Sequence, residues 1–211
     1  MADRNTVSGS RVILVDDDDD VRRSLGALLK SAGYAVDVYA NAEEFLAGTG
    51  SSAAARCLVA DVRMPEMSGL DLLRALKKKQ SSVPVVLITG HADVQMAVEA
   101  MKAGAVDFIE KPFTAEEILE AVQLASGRVA AHNFDADRED VLNRFKSLTR
   151  REKETFDLLV EGHTNKSAAQ RLSISPRTVE IYRSKVMEKM GSKSLAELVR
   201  MSFATHPGPS P

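Results

Sequence analysis

The chain has 211 residues and a formal net charge of −2, with 44% hydrophobic and 27% charged residues. This length suits two small domains or one large one, and the composition predicts ordinary cores under a soluble surface. No stretch approaches the roughly 18 apolar residues of a membrane-spanning helix, and the polar N-terminus lacks the apolar region of a signal peptide, so a cytoplasmic protein without membrane association is expected.

The charges are unevenly distributed along the chain. From Lys146 onward there are 12 basic and 7 acidic residues, whereas residues 1–145 hold 16 basic and 23 acidic ones. An acidic front half and a basic back half predict two domains with different partners. A polyanion is the expected partner of the basic half.

The front half alternates short β-rich runs with helical patterns. Strands are predicted at 11–15, 35–40, 57–61, 83–89 and 106–110. Strands that are apolar on both faces and joined by helices predict a parallel sheet covered on both sides, with ligands bound beyond the carboxyl ends of the strands. The only cysteine, Cys57, lies in one of these strands and is predicted to be a buried apolar residue.

Polar residues stand where these strands end. Asp16 and Asp17 follow the first strand, Asp61 ends the third, and Thr89 and Lys111 stand at the ends of the fourth and fifth. Carboxylates that lie close together need a cation, and oxygen ligands with open positions suit Mg²⁺. The lysine and the threonine would contact an anionic group on that metal. The predicted chemistry is phosphoryl transfer to an aspartate, for which Asp61 is the best nucleophile.

Asp16 and Asp17 belong to an unbroken run of five aspartates. The last three, Asp18 to Asp20, stand before the helix that is predicted to start near Val21. Carboxylates at a helix N-terminus cap free N–H groups and complement the helix dipole. The run is therefore predicted to divide into two aspartates for the metal and three that start a helix.

Four segments, LVDDD, DVRMPEMSG, VVLITGHAD and MKAGAVDFIEKPF, together resemble the receiver domain of bacterial two-component response regulators. The resemblance implies a flavodoxin-like, doubly wound α/β fold with five parallel strands in the order 2-1-3-4-5. It also implies a cis peptide between Lys111 and Pro112.

The resemblance implies a role for each residue of the acidic pocket. Asp61 resembles the phosphoacceptor, Asp16 and Asp17 the acidic pair, and the main-chain carbonyl of Arg63 a further Mg²⁺ ligand beside Asp17 and Asp61. Thr89 resembles the switch hydroxyl, and Lys111 the lysine that contacts the phosphate. Phe108 resembles the aromatic residue that repositions on activation, a role that is compatible with a place in the core.

The basic half outlines a helix-turn-helix. A helix is predicted at about Arg150–Glu161, followed by the short helix NKSAAQRL, the turn SIS, and a helix with Ser175 as N-cap and Pro176 at its first position. In the last helix three apolar residues form one buried stripe: Val179, Val186 and Met190.

The opposite face of that helix carries Ile181 among polar and basic residues. An exposed isoleucine suits a major groove, where it can meet a thymine methyl group while basic side chains reach guanines or phosphates. Glu180 could accept a hydrogen bond from cytosine, although a solvated glutamate is the simpler interpretation. The predicted DNA-binding residues are Lys166, Arg177, Thr178, Glu180, Ile181, Arg183, Ser184 and Lys185.

The segment from LTRRE to AELV resembles the all-α, four-helix LuxR-type DNA-binding domain. The two resemblances together imply the NarL/FixJ class of response regulators. The predicted domains are a disordered N-terminus at 1–10, the receiver at 11–125, a partly helical linker at 126–145, the DNA-binding domain at 146–204 and a disordered tail at 205–211.

Membership of this class implies specific partners. They are a sensor histidine kinase, promoter DNA, RNA polymerase and a second copy of the chain, which would dimerise on phosphorylation through the face of helix 4 and strand 5. The dimer candidates on that face are Met101, Lys102, Val106 and Glu110. Two segments most resemble the regulators of nitrogen fixation, which implies an activator and a kinase that senses oxygen through haem.

Two other functions compete with this interpretation. An aspartyl phosphatase would need a second acidic residue two positions beyond the nucleophile, where this chain has Arg63, so only slow hydrolysis of its own phospho-aspartate is expected. A receiver that works without phosphate would not require the complete set of pocket residues.

Overall fold

The computed structural model describes residues 10–48, 55–90, 94–127 and 134–205. The predicted disordered segments 1–10 and 205–211 lie, except for Ser10 and Thr205, outside the described residues. The strands are β1 Arg11–Val15, β2 Ala35–Tyr39, β3 Ala55–Asp61, β4 Val85–Thr89 and β5 Asp107–Glu110. The helices are α1 Asp19–Ser31, α2 Ala42–Ala47, α3 Gly69–Lys78, α4 Val94–Lys102, α5 Ala115–Ala125, α6 Phe134–Ser147, α7 Arg150–Val160, α8 Asn165–Leu172, α9 Pro176–Met190 and α10 Leu195–Thr205.

The five strands form one parallel sheet in the order 2-1-3-4-5, which confirms the predicted fold class. The central strands β1, β3 and β4 are buried along nearly their whole length, because helices cover both faces of a sheet of this kind. Cys57 is fully buried in β3, as predicted. The carboxyl ends of neighbouring strands lie side by side, which brings the acidic ends of β1 and β3 to one edge.

The described residues form two compact units. The first contains the sheet with α1, α2, α3 and α5, and the second contains α4 together with α6 to α10. Helix α6 runs from inside the segment predicted as linker into the segment predicted as DNA-binding domain, and it belongs to the second unit.

Each unit has an apolar core of its own. In the first unit, residues of β1, β3 and β4 pack with residues of α1 and α5. In the second unit, two adjoining clusters hold the helices together. One cluster is Leu148, Phe156, Leu159, Val186, Met190 and Leu198. The other is Leu158, Ala168, Ala169 and Val179.

Most of the described helices begin at an Asp, Asn, Ser or Thr whose side chain accepts a hydrogen bond from a free N–H group of the first turn. Asn41 and Ser175 are N-caps as predicted. Helix α1 begins two residues before Val21, with Asp18 as its N-cap. Within the described ranges, no helix combines the length and the apolar character that crossing a membrane requires.

Candidate functional site

Four strands of the first unit deliver polar side chains to one edge of the sheet. Asp16 follows β1, Asp61 is the last residue of β3, Thr89 is the last residue of β4, and Lys111 follows β5. The order of the strands makes β1, β3, β4 and β5 successive neighbours. This arrangement follows from the hydrophobic pattern, because each strand ends where its apolar run ends.

The ammonium group of Lys111 lies between two carboxylates. Its Nζ atom is 2.6 Å from Oδ1 of Asp61 and 2.9 Å from Oδ2 of Asp16. Both carboxylates are buried, with 0% of Asp16 and 5% of Asp61 exposed. Two buried negative charges with one positive charge leave a net charge of −1, which favours the binding of a further cation.

The surroundings perturb the pKa values of this pair. Burial raises the pKa of Asp61, and the hydrogen bond from Lys111 opposes that rise. Burial disfavours the charged form of Lys111, but the hydrogen bonds to Asp61 and Asp16 outweigh it and raise the pKa of the lysine. A buried carboxylate with a perturbed pKa and a specific cationic partner is typical of a functional site.

Backbone groups fix the orientation of both carboxylates. The N–H of Arg63 donates to Oδ2 of Asp61 at 2.5 Å, and the N–H of Asp18 donates to Oδ1 of Asp16 at 2.9 Å. The guanidinium of Arg22 donates to the main-chain carbonyl of Asp16 and also pairs with Asp19. Arg22 was not among the predicted site residues, although its position on the first turn of α1, six residues after Asp16, could have indicated its role.

Gly69 packs against the main chain of the nucleophile candidate. A Cβ atom at Gly69 would lie 2.2 Å from the carbonyl oxygen of Asp61, a distance that no side chain tolerates. The N–H of Gly69 donates to the carbonyl of Val62 at 3.1 Å. The start of α3 therefore rests directly on the end of β3, and only glycine permits this close approach.

Oxygen groups of the kind that Mg²⁺ prefers meet at this edge of the sheet. Asp17 is exposed beside the buried Asp16, and Arg63 is exposed after Asp61. Among the described residues, no group of three or more His, Cys, Asp or Glu side chains is arranged to hold a metal ion. Mg²⁺ needs only one or two carboxylates, because it keeps several of its waters. The donor chemistry and the net charge of the pocket therefore fit Mg²⁺.

The predicted switch residues are buried at the same side of the sheet. Thr89 is 0% exposed and Phe108 is 6% exposed. Thr89 pairs with Glu110 in the β4–β5 ladder, and Phe108 pairs with Leu87. The Lys111–Pro112 peptide is cis, as the resemblance implied.

The predicted dimer candidates differ in exposure. Lys102 and Glu110 are exposed and Val106 is half-buried, whereas Met101 is only 4% exposed. Of the four candidates, Met101 therefore offers the least surface to a second copy, and the dimer face stays a prediction.

The second unit contains the predicted helix-turn-helix. Helix α8 matches the segment NKSAAQRL, Ser173 ends it in the left-handed conformation, and α9 starts at Pro176 with Ser175 as its N-cap. The predicted stripe of α9 is confirmed, since Val179, Val186 and Met190 are each 0% exposed. These three side chains fix which face of α9 points away from the core.

The opposite face of α9 is open. Ile181 is 50% exposed, which is unusual for an isoleucine. Its predicted companions are exposed except for Thr178 and Arg183, which are half-buried. The exposed residues are Lys166 on α8 and Arg177, Glu180, Ser184 and Lys185 on α9. The structure therefore presents an apolar side chain within a mainly basic, polar surface.

The C-terminal end of α9 carries an ion pair that was not predicted from the sequence. Nζ of Lys189 is 2.7 Å from Oε2 of Glu152, which is 3% exposed. The hydrogen bond from Lys189, followed by that from the backbone N–H of Thr149, lowers the pKa of Glu152 from 4.5 to about 2. Glu152 stands three residues after Thr149, and this capping-box spacing indicates that it lies at the start of α7. No pattern in the sequence indicates that Lys189 of α9 is its partner.

Comparison with known families places a domain in each half of the chain. The profile of the response regulator receiver domain matches residues 12–123. The profile of the bacterial regulatory proteins of the luxR family matches residues 146–202.

Known proteins resemble the chain over nearly its whole length. The transcriptional regulatory protein FixJ of Rhizobium meliloti (strain 1021) is 49% identical over 200 residues, which cover 94% of this chain and 98% of FixJ. The response regulator protein TodT of Pseudomonas putida is 40% identical over 203 residues, which cover 96% of this chain and 87% of TodT. The crystal structure of full-length FixJ from B. japonicum is 42% identical, with a TM-score of 0.53 over 92% of this chain and 96% of that one.

Proposed function

The chain belongs to the transcriptional response regulators that join a receiver domain to a LuxR-type DNA-binding domain, and from this membership we propose that phosphorylation of Asp61 by a sensor histidine kinase controls its activity. The observation that carries the proposal is the position of the Lys111 ammonium between Asp16 and Asp61. It supplies a cation at the place where a phosphoryl group would add negative charge.

The proposed reaction is the transfer of a phosphoryl group to a carboxylate oxygen of Asp61. A new P–O bond forms, and the bond from phosphorus to the donor, a histidine nitrogen of the kinase, breaks. The N–H of Arg63 and the ammonium of Lys111 hold the carboxylate in one orientation. Lys111 can then contact the transferred group, which frees Asp16 from part of its present ion pair.

We propose Mg²⁺ as the cofactor of this transfer. Asp16, Asp17, Asp61 and the carbonyl of Arg63 would hold it, and it would neutralise charge on the phosphoryl oxygens. The net charge of −1 on the buried group of Asp16, Asp61 and Lys111 supports this choice. The same pocket is proposed to hydrolyse its own phospho-aspartate only slowly, because position 63 is an arginine and offers no general acid.

The proposed output is transcription activation by a dimer on promoter DNA. Thr89 and Phe108, both buried near the end of the sheet, would move when the phosphoryl group arrives and so change the face of α4 and β5. Dimerisation would place two α9 helices at adjacent half-sites, and each bound helix would raise the affinity of the other for DNA. The bound dimer would then recruit RNA polymerase.

We base the proposed signal of the partner kinase on FixJ, which is more similar to this chain than TodT is. The identity with FixJ, 49%, exceeds that with TodT, 40%, and this supports a regulator of nitrogen fixation whose kinase senses oxygen through haem.

Acetyl phosphate tests the phosphoacceptor. The wild-type chain, the Asp61→Asn variant and the control Asp37→Asn, which changes a partly exposed carboxylate of β2, are incubated with acetyl phosphate and Mg²⁺. Intact-mass spectrometry should show one added phosphoryl group on the wild type and the control and none on Asp61→Asn. Equal labelling of Asp61→Asn would refute the assignment of Asp61.

Two further experiments test the role of Mg²⁺ and the effect of phosphorylation on DNA binding separately. Labelling that persists in EDTA would refute the role of Mg²⁺. Footprinting of genomic DNA with the phosphorylated and unphosphorylated chain should show stronger protection after phosphorylation, and identical footprints would indicate a regulator that works without phosphate.

A further inference from the structure

The C-terminal end of α9, which carries the predicted DNA contacts, is closed by a Schellman motif. The N–H of Gly191 donates to the carbonyl of Glu188 at 3.0 Å, and the N–H of Ser192 donates to that of Met187 at 2.9 Å. These two bonds leave the carbonyl of Met190 without a partner from the motif itself. Met190 is 0% exposed, so water does not satisfy this oxygen.

The partner of that carbonyl comes from α6. Nη1 of Arg144 donates to the carbonyl oxygen of Met190 at 2.8 Å, and Nη2 of the same guanidinium is 2.7 Å from Oδ2 of Asp140. A cation at the C-terminal end of a helix also complements the helix dipole. Arg144 therefore caps α9 from a helix that lies 46 residues earlier in the chain.

Gly191 makes room for this contact. Its φ angle is +67°, and a Cβ atom there would lie 2.1 Å from Nη1 of Arg144. The left-handed conformation alone would permit asparagine as well as glycine. A side chain at position 191 would push the guanidinium away from the carbonyl of Met190, so glycine at this position preserves the contact with Arg144.

Helix α6 holds Arg144 in place by packing on the core of the second unit. Val141 and Phe145 pack against the cluster that contains Met190 and Phe156. The rings of Phe145 and Phe156 meet edge to face with centroids 5.1 Å apart. Arg144 lies outside the region that matches the luxR-family profile, which begins at residue 146, yet it belongs to the same packed unit as α9.

Besides the burial of Val186 and Met190 in the core, two polar contacts position the last turn of α9. The ion pair of Lys189 with Glu152 holds the last turn from α7, and Arg144 holds it from α6. A 15-residue helix is about 22 Å long, so a tilt of about 5° at one end moves the other by roughly 2 Å. Such a shift exceeds the range of a hydrogen bond to a base edge.

We propose that Arg144 is a positioning residue for DNA recognition: it fixes the C-terminal turn of α9 and so sets how the exposed face of α9 meets the bases. The proposal rests on DNA binding through α9. It extends the DNA-binding unit of this chain backward into the segment predicted as linker.

The test compares sequence-specific with non-specific binding by full-length variants. Arg144→Met removes the donor and keeps the side-chain length, and Arg138→Met is the matched control because it removes the same charge from an exposed position of the same helix. The probes are a duplex that the wild-type chain selects from a random-sequence pool and a scrambled duplex of equal length. Both are measured below the melting transition of every variant.

Arg144→Met should weaken binding to the selected duplex roughly 10-fold more than binding to the scrambled duplex, as expected when a displaced α9 loses about one base contact while its phosphate contacts remain. Arg138→Met should weaken both by the same small factor. Arg144→Lys, which keeps a cation and a donor, should recover part of the specificity. Hydrogen exchange at residues 187–192 should accelerate in Arg144→Met and stay unchanged in Arg138→Met.

Four results would overturn the proposal. One is equal behaviour of Arg144→Met and Arg138→Met on both duplexes. Another is an equal loss by Arg144→Met on both duplexes, which indicates a merely electrostatic or stabilising role. If Arg144→Met does not fold, Arg144→Gln takes its place, and behaviour equal to that of Arg138→Met on both duplexes decides against the proposal. A wild-type chain that selects no duplex would instead refute DNA binding through α9, and this inference with it.

Discussion

At the residue scale, the candidate site is dominated by one ammonium group that two carboxylates share. Asp16 follows β1, Asp61 ends β3 and Lys111 follows β5, so three strand ends converge on one hydrogen-bonded group. Each carboxylate is also held by a backbone N–H group. Preorganised donors of this kind cost no rearrangement when charge arrives, which is how proteins favour phosphoryl transfer.

Glu152 leads to a prediction about stability and pH. Because its pKa is lowered from 4.5 to about 2, its ion pair with Lys189 stabilises the fold above about pH 4.5, and that contribution is lost as the pH falls toward 2. Glu152→Gln should lower the free energy of unfolding of the second unit at pH 7 by on the order of 2 kcal/mol. The difference from the wild type should shrink as the pH falls from 4.5 to 2.

Urea unfolding of the full-length chain, followed by amide NMR signals of α7 and α9, measures this difference at each pH. Glu154→Gln is a suitable control, because Glu154 pairs with Arg150 and Arg151 on the surface of the same helix. A difference between Glu152→Gln and the wild type that stays constant from pH 7 to pH 2 would contradict the assigned ion pair.

At the scale of elements, the junction of β3 with α3 depends on Gly69. Gly69→Ala would place a methyl group 2.2 Å from the carbonyl oxygen of Asp61, so the strand end or the helix must move. We expect it to destabilise the first unit by about 1–3 kcal/mol and to slow phosphoryl uptake from acetyl phosphate.

Gly26→Ala is the matched control for this change. Gly26 lies inside α1, where a Cβ atom would meet only Val38 at an ordinary 4.0 Å. That substitution should be neutral or stabilise the chain by up to about 1 kcal/mol, because alanine favours the helix. Urea unfolding followed by amide NMR signals of β3 gives both values. Equal stability of the two variants would show that α3 does not rest on Asp61 as the structure has it.

The elements also show what a sequence can predict. Strand ends and helix starts follow from apolar runs and from capping residues such as Ser175, so the sheet, the edge where Asp16, Asp61 and Lys111 meet, and the outline of the helix-turn-helix were all accessible. The Lys189–Glu152 and Arg144–Met190 contacts were not accessible. They join positions 37 and 46 residues apart and depend on how the helices cross, which periodicity does not specify.

The approach of Gly69 to Asp61 also went unrecognised, since a glycine after a loop is equally consistent with a plain turn.

At the scale of the whole molecule, the charge is divided along the chain. Residues 146–211 carry 12 basic and 7 acidic residues, against 16 basic and 23 acidic residues before them. A protein of this kind owes its affinity for DNA mainly to the basic part, through the release of counterions from phosphates. The acidic part repels the same phosphates, and a phosphoryl group on Asp61 would add to that repulsion.

This division predicts a strong dependence of DNA binding on salt. If each bound chain neutralises about four phosphates, its affinity should fall roughly 100-fold between 50 and 200 mM salt. Arg177→Gln, which removes one exposed cation of α9, should lower the slope of log affinity against log salt by about 1. Fluorescence anisotropy with a labelled duplex measures both slopes. A salt-independent affinity would contradict binding through the basic half.

Cys57 has a consequence for how the molecule can be studied. It is the sole cysteine of the chain, it is fully buried in β3, and burial raises the pKa of its thiol to about 12. Maleimide reagents attack the thiolate, which is scarce at neutral pH under these conditions. A fluorophore or spin label on a cysteine introduced at the exposed Ile181 position would therefore report on α9 alone, without replacement of the native thiol.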